Sequence, residues 1–81
     1  MAKTTHDIKK VMARIFEVDP SSLHDTIRQD EVENWDSLRH MNLILGLEEE
    51  FGVEFTPEQS VEILSLPLIK VTLQELGVTF S

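Results

Sequence analysis

Apolar side chains recur at helical spacing along most of the chain, and this periodicity limits the fold more than any other feature. The first apolar set is Ile8, Val11, Met12, Ile15 and Phe16. Spacing of i, i+3, i+4, i+7 and i+8 places this set on one face of a helix over residues 5–17. Thr4 and Asp7 are spaced as a capping box, and Asp19-Pro20 favours the end of the helix.

A second helix is predicted over residues 37–51. Asp36 is suited to the N-cap position, and Gly52 is suited to the position that follows the helix. The residues expected to face the core are Leu43, Ile44, Leu47 and Phe51. Met41 and Leu45 form a separate i, i+4 pair to one side of that stripe.

Two further helices are predicted over residues 57–63 and 66–76. Thr56 and Gln59 are spaced as a capping box for the short third helix, whose first position would hold a proline. Its buried side is expected to be Val61, Ile63 and Leu64. Ser65 would cap the fourth helix, whose apolar stripe is Leu66, Ile69, Leu73 and Leu76.

The predicted fold is all-α, and it places residues 1–81 in one domain. It is a four-helix bundle with a long first loop and a short third helix. The first connection, residues 18–35, is unusually long for a compact domain, and residues 20–23 could form one helical turn within it. Such a loop is either functional or contains an element that the pattern does not show.

Length and charge restrict the function. A domain of 81 residues buries only about 60–65% of its unfolded surface, which leaves little room for a walled active site, so we expect no enzyme. Seven basic against fifteen acidic residues give a net charge of −8, which argues against nucleic acid as a partner. No apolar run is long enough to span a membrane. We expect a cytoplasmic monomer without a metal site.

The segment most informative about function is Trp35-Asp36-Ser37-Leu38. It places Ser37 at the start of the second helix, directly after the long loop. The first backbone N–H groups of a helix lack internal partners, and the dipole is positive there, so a phosphate attached to Ser37 would be stabilised. Taken alone, the tripeptide Asp36-Ser37-Leu38 is better explained as an ordinary helix start.

The whole pattern resembles the acyl carrier protein family. Two stretches carry the resemblance: Asp-Ser-Leu at residues 36–38, and Leu-Glu-Glu-Glu-Phe-Gly-Val at residues 47–53. The order and lengths of the predicted helices extend it from about Ile8 to Leu76. The tripeptide is weakly specific, whereas its combination with helix order and chain length is considerably more so.

The resemblance implies a covalent cofactor. In the family, the motif serine, here Ser37, bears 4′-phosphopantetheine transferred from coenzyme A by a magnesium-dependent phosphopantetheinyl transferase. Asp36 and Leu38 would flank that attachment point. The thiol of the arm carries acyl or aminoacyl groups as thioesters, which fits a chain that has no cysteine of its own. No residue of the chain is expected to be catalytic.

The resemblance also implies a docking face on the second helix. The residues that would meet partner enzymes are Asp36, Leu38, Arg39, Met41, Leu45, Glu48 and Glu49. The partners would be an acyl- or aminoacyl-loading ligase and acyl-processing enzymes with basic docking surfaces. An exposed Met41–Leu45 strip fits this role, and the alternative is that the first loop buries both side chains.

Three positions depart from the family pattern. Arg39 and Asn42 stand where carriers of fatty acid synthesis usually have acids, and Asn34 stands where a glycine is common. The docking face is therefore less negative near Ser37. This indicates a specialised stand-alone carrier, for an aminoacyl, polyketide or other dedicated acyl group, more than a partner of standard fatty acid synthase enzymes.

Other interpretations explain less of the sequence. Hydrolysis by Ser37 with His40 would need an orienting acid, and the adjacent residue Asp36 points away from Ser37 at the start of the helix. His40 is instead expected to form a staple with Trp35 across the entry of the second helix. A calcium loop that starts at Asp30 would need glycine at its sixth position, where Trp35 stands. An unmodified acidic adaptor that docks through the second helix remains the main alternative.

Overall fold

The computed structural model of the protein describes residues 2–80, and its regular structure is all-α. Four helices are present: α1, Thr5–Phe16; α2, Ser37–Phe51; α3, Pro57–Glu62; and α4, Leu66–Glu75. Each predicted helix boundary lies within one residue of the observed one. Between residues 2 and 80, extended pairing is limited to two isolated bridges, Lys3 with Phe80 and Arg28 with Ser65.

The predicted helix starts are confirmed. Asp36 and Ser65 cap α2 and α4 by accepting from the backbone three residues on. Capping boxes open α1, from Thr4, and α3, from Thr56. Side-chain oxygens at these positions satisfy N–H groups that a helix cannot satisfy itself, which explains why the boundaries were predictable.

Helix α1 lies at the centre of the core, packing mainly against α2 and also against α4. The largest fully buried side chains are Ile8, Met12, Phe16, Leu43, Leu47, Ile63, Leu66, Ile69 and Leu73. Gly46 marks the close approach of α1 and α2, because a Cβ atom there would lie 3.1 Å from Val11 Cγ1. In the part of the chain described, no helix combines the length and apolar character needed to cross a membrane.

The predicted buried side of α3 is wrong at two of its three positions. Ile63 is fully buried, but Val61 is 68% exposed and Leu64 is 39% exposed. The helix ends at Glu62, and Ile63 leaves helical geometry with ψ near 64°. Helical spacing therefore no longer governs Leu64, and α3 itself buries no side chain.

The long first connection contains two short 3-10 turns. The turn at Pro20–Ser22 confirms the predicted helical turn, whereas the turn at Gln29–Glu31 was not predicted. Backbone bonds from Gln29 N to Leu64 O, 2.9 Å, and from Leu66 N to Ile27 O, 2.9 Å, tie the second turn to the α3–α4 junction. The element that the sequence pattern did not show is therefore a 3-10 turn stabilised by backbone hydrogen bonds to a distant segment. Such bonds leave no helical periodicity in the sequence.

The backbone around Lys3 pairs with the backbone around Thr79. Lys3 N donates to Thr79 O at 2.8 Å, and the ring of Phe80 lies 6.0 Å from that of Phe51. The sequence left open whether residues 79–81 pack back on the domain. Thr79 and Phe80 do so, and Ser81 lies outside the described residues.

The capping box of α1 should make stability depend on pH in the acidic range. The backbone N–H of Thr4 donates to the Asp7 carboxylate at 2.8 Å and holds its pKa below the usual 3.8. A depressed pKa contributes stability above pH 3.8, which is lost as the pH falls through the folded value. Urea titrations between pH 6 and 2 should show a smaller loss in Asp7→Asn than in wild type. Equal losses would contradict the assignment.

Candidate functional site

Ser37 occupies the first position of α2 and is exposed to solvent. Asp36 fixes this helix start, because its Oδ1 atom accepts from Arg39 N at 2.8 Å. On the other side, Trp35 is buried, and its ring lies 4.8 Å from that of Phe16 in α1. The serine is therefore presented at the surface between a buried anchor and a capped helix.

Side chains on both sides of Ser37 bind the end of α1. Asn34 Nδ2 donates to Phe16 O at 3.0 Å, and the Arg39 guanidinium donates to Ile15 O at 2.6 Å. These carbonyls belong to the last turn of α1, where helical acceptors lack partners. Sequence reasoning missed both bonds, which span 18 and 24 residues and leave no local pattern.

A shallow groove runs beside Ser37 between α2 and the end of α3. It has a volume of about 450 Å³, and its lining residues are Gln29, Ser37, His40, Met41, Val61 and Leu64. Val61 and Leu64, which were predicted to be buried but are exposed, form the apolar wall of the groove. An exposed hydroxyl thus lies at the edge of an open, mostly apolar trough.

The site fits a phosphate ester on Ser37. The N–H groups of Ser37 and Leu38 are at the first two helical positions, where no intrahelical acceptor exists, and the Asp36 cap accepts from Arg39 N instead. The dipole of a 15-residue helix adds positive potential at the same place. The 4′-phosphopantetheine implied by the family resemblance could be joined to this hydroxyl without displacing a buried group.

The apolar side chains assigned to docking are exposed. Leu38 is 68% exposed, Met41 is 62% exposed and Leu45 is 61% exposed, all on α2. The alternative in which the first loop buries Met41 and Leu45 is therefore wrong. An exposed apolar patch on one helix favours an interaction surface, whereas single exposed apolar side chains are common.

The charged docking candidates differ from one another. Glu49 is fully available, whereas Glu48 is half-buried and accepts from Phe55 N at 2.8 Å. The second guanidinium nitrogen of Arg39 donates to Glu17 at 3.0 Å, so both terminal nitrogens of this side chain bind other parts of the chain. A docking role for these residues stays a prediction. Glu48 and Arg39 also have structural roles, because both bind other parts of the chain.

His40 bonds away from Ser37. Trp35 Nε1 donates to His40 Nδ1 at 2.9 Å, which confirms the predicted contact between the two side chains. The indole only donates, so the neutral imidazole carries its proton on Nε2, which donates to Ser60 O at 2.7 Å. Both ring nitrogens are committed, and this geometry disfavours His40 as a base for Ser37. The bond to Ser60 was not predicted.

Similarity to other proteins adds no assignment to this geometry. No protein-family model matches the chain, and the search of curated proteins found no match either.

Proposed function

We propose that the chain is an acyl carrier protein, a four-helix bundle of carrier type in which Ser37 bears 4′-phosphopantetheine. One observation carries the proposal: an exposed serine is the first residue of a long capped helix and lies at the edge of an apolar groove. Those features serve a residue that must be reached by a modifying enzyme and must then hold a mobile arm.

The chemistry of attachment is a single group transfer. The oxygen of Ser37 forms a phosphodiester with the pantetheine phosphate of coenzyme A, and the pyrophosphate bond breaks to release adenosine 3′,5′-bisphosphate. The hydroxyl proton passes to a base of the transferase, which uses magnesium. When bound, the arm supplies the thiol for thioester formation that a chain without cysteine lacks.

The surface around Ser37 indicates the chemistry of the partners. Near the serine the α2 face is apolar, with Leu38 and Met41 exposed, and Glu49 lies further along the helix. The partners would be loading ligases and acyl-processing enzymes that offer an apolar contact near the serine and basic residues farther away. Charge complementarity of this kind mainly raises association rates and selects among partners.

Intact mass spectrometry tests the proposal. The protein is incubated with coenzyme A, magnesium and a broad-specificity phosphopantetheinyl transferase. Wild type should gain the mass of one arm, and Ser37→Ala should gain none. Ser21→Ala is the matched control, because Ser21 is also exposed and follows an aspartate cap, and it should be modified like wild type.

The folded state is monitored in the same samples. Ser37 is exposed, so Ser37→Ala should change the free energy of unfolding by about 1 kcal/mol or less. A folded wild-type protein that keeps its original mass would refute the carrier proposal. The exposed Leu38–Met41–Leu45 strip would then favour the unmodified adaptor.

A further inference from the structure

Helix α3 has few means of staying in place. It has only six residues, and an isolated helix of that length is unstable in water. None of its own side chains is buried. Ile63, just past its end, is fully buried, and Glu48 binds Phe55 N before its start. Between these flanking ties, a side-chain hydrogen bond from another helix reaches the body of α3.

His40 supplies that contact. Its Nε2 atom lies 2.7 Å from Ser60 O, a carbonyl in the last turn of α3 that no intrahelical N–H can reach. Its Nδ1 atom accepts from Trp35 Nε1 at 2.9 Å, and Trp35 packs on Phe16 in α1. A continuous series of contacts therefore joins α1, the first connection, α2 and α3.

We infer that His40 is a positioning residue that pins α3 to α2 and thereby fixes the far wall of the groove beside Ser37. The groove lies between those two helices, and Val61 of its apolar wall is on α3. Only the neutral tautomer with the proton on Nε2 makes both bonds at once. The inference goes beyond carrier function and holds whether or not Ser37 is modified.

Two substitutions separate the two bonds. Asparagine places its amide group where His40 has Nδ1, so His40→Asn keeps an acceptor for Trp35 and cannot reach Ser60. Glutamine places its amide nitrogen near the position of Nε2, so His40→Gln keeps a donor for Ser60 and withdraws from Trp35. His6→Asn and His6→Gln are the matched controls, because His6 is an exposed histidine of α1.

Amide hydrogen exchange by NMR measures the effect on α3. Opening of α3 should become roughly 3- to 10-fold more frequent in His40→Asn, the range expected for one lost hydrogen bond, while α1 amides keep their protection. His40→Gln should keep α3 protection close to wild type and speed exchange of the Trp35 indole N–H. The His6 variants should change neither.

The same samples yield the results that would overturn the inference. Equal α3 exchange in wild type and His40→Asn would show that the bond to Ser60 does not hold the helix. Equal effects of the two His40 variants on α3 amides and on the Trp35 indole N–H would also reject the inference. General destabilisation would change both measurements alike in both variants. Nitrogen NMR of wild type that finds the proton on Nδ1 would exclude the assigned bonds.

Discussion

Replacing Trp35 by alanine should lower the free energy of unfolding by about 3–5 kcal/mol, the range measured for loss of a buried aromatic side chain. The indole is only 5% exposed and packs on Phe16. It also donates to His40, whose Nδ1 atom would be left without a partner. Urea denaturation followed by circular dichroism measures the change, since Trp35 is the only tryptophan.

Trp35→Phe is the companion variant. It keeps an aromatic ring against Phe16 but removes the N–H donor, so its cost should lie well below that of alanine. For a domain of this size, a loss of several kcal/mol is a large part of the total stability. A cost of less than 1 kcal/mol for Trp35→Ala would mean that the first connection is not anchored through this side chain.

Replacing Arg39 by methionine should cost about 1.5–3 kcal/mol, the range for a hydrogen bond that involves a charged group. Methionine keeps the apolar stem but leaves Ile15 O without its donor at 2.6 Å. The bond to Glu17 should add little, because that carboxylate is largely exposed. Chemical denaturation of the unmodified protein measures this effect separately from any partner.

Arg28→Met provides the control for Arg39. Arg28 pairs with Asp30 at 2.9 Å, but both side chains are about two-thirds exposed, so the change should cost less than about 1 kcal/mol. Arg39→Glu should be at least as harmful as Arg39→Met, because it turns a carboxylate towards a carbonyl and Glu17. If Arg39→Met lowered the free energy of unfolding as little as Arg28→Met, the contact of Arg39 with α1 would not contribute to stability.

The contacts of Arg39 and Asn34 give a structural role to two residues at which the chain differs from the family that its sequence resembles. Both positions lie near the motif serine, and both side chains donate to the last turn of α1. The residue after that turn, Glu17, has a left-handed backbone with φ of 57°, although it is not glycine. A cationic side chain at position 39 thus serves the C-terminal end of α1, where positive charge is favourable.

Sequence reasoning succeeded where structure depends on neighbours in the chain. Caps such as Thr4, Asp36 and Thr56 act over three residues, so the helix boundaries and the position of Ser37 at the start of α2 followed from local pattern. It failed where distant segments decide. The 3-10 turn at Gln29–Glu31 pairs with the backbone near residue 65, and Leu64 lies beyond the end of helical geometry at Glu62.

The site shows the same division. The staple between Trp35 and His40 was predictable, since its partners are five residues apart and flank a helix start. Its continuation to Ser60, 20 residues away, was not. The groove beside Ser37 is lined by residues of the first connection, α2 and the end of α3, so the sequence indicated the position of Ser37 more completely than its surroundings.

The backbone of Lys3 donates to Thr79 O at 2.8 Å, so the points at which the chain enters and leaves the domain lie next to each other. A domain with adjacent ends can interrupt a surface loop of a host protein without forcing that loop apart. A linker of a few residues could likewise close the chain into a ring and allow it to be opened elsewhere. This geometry suits insertion of the domain into another protein and circular permutation of its chain.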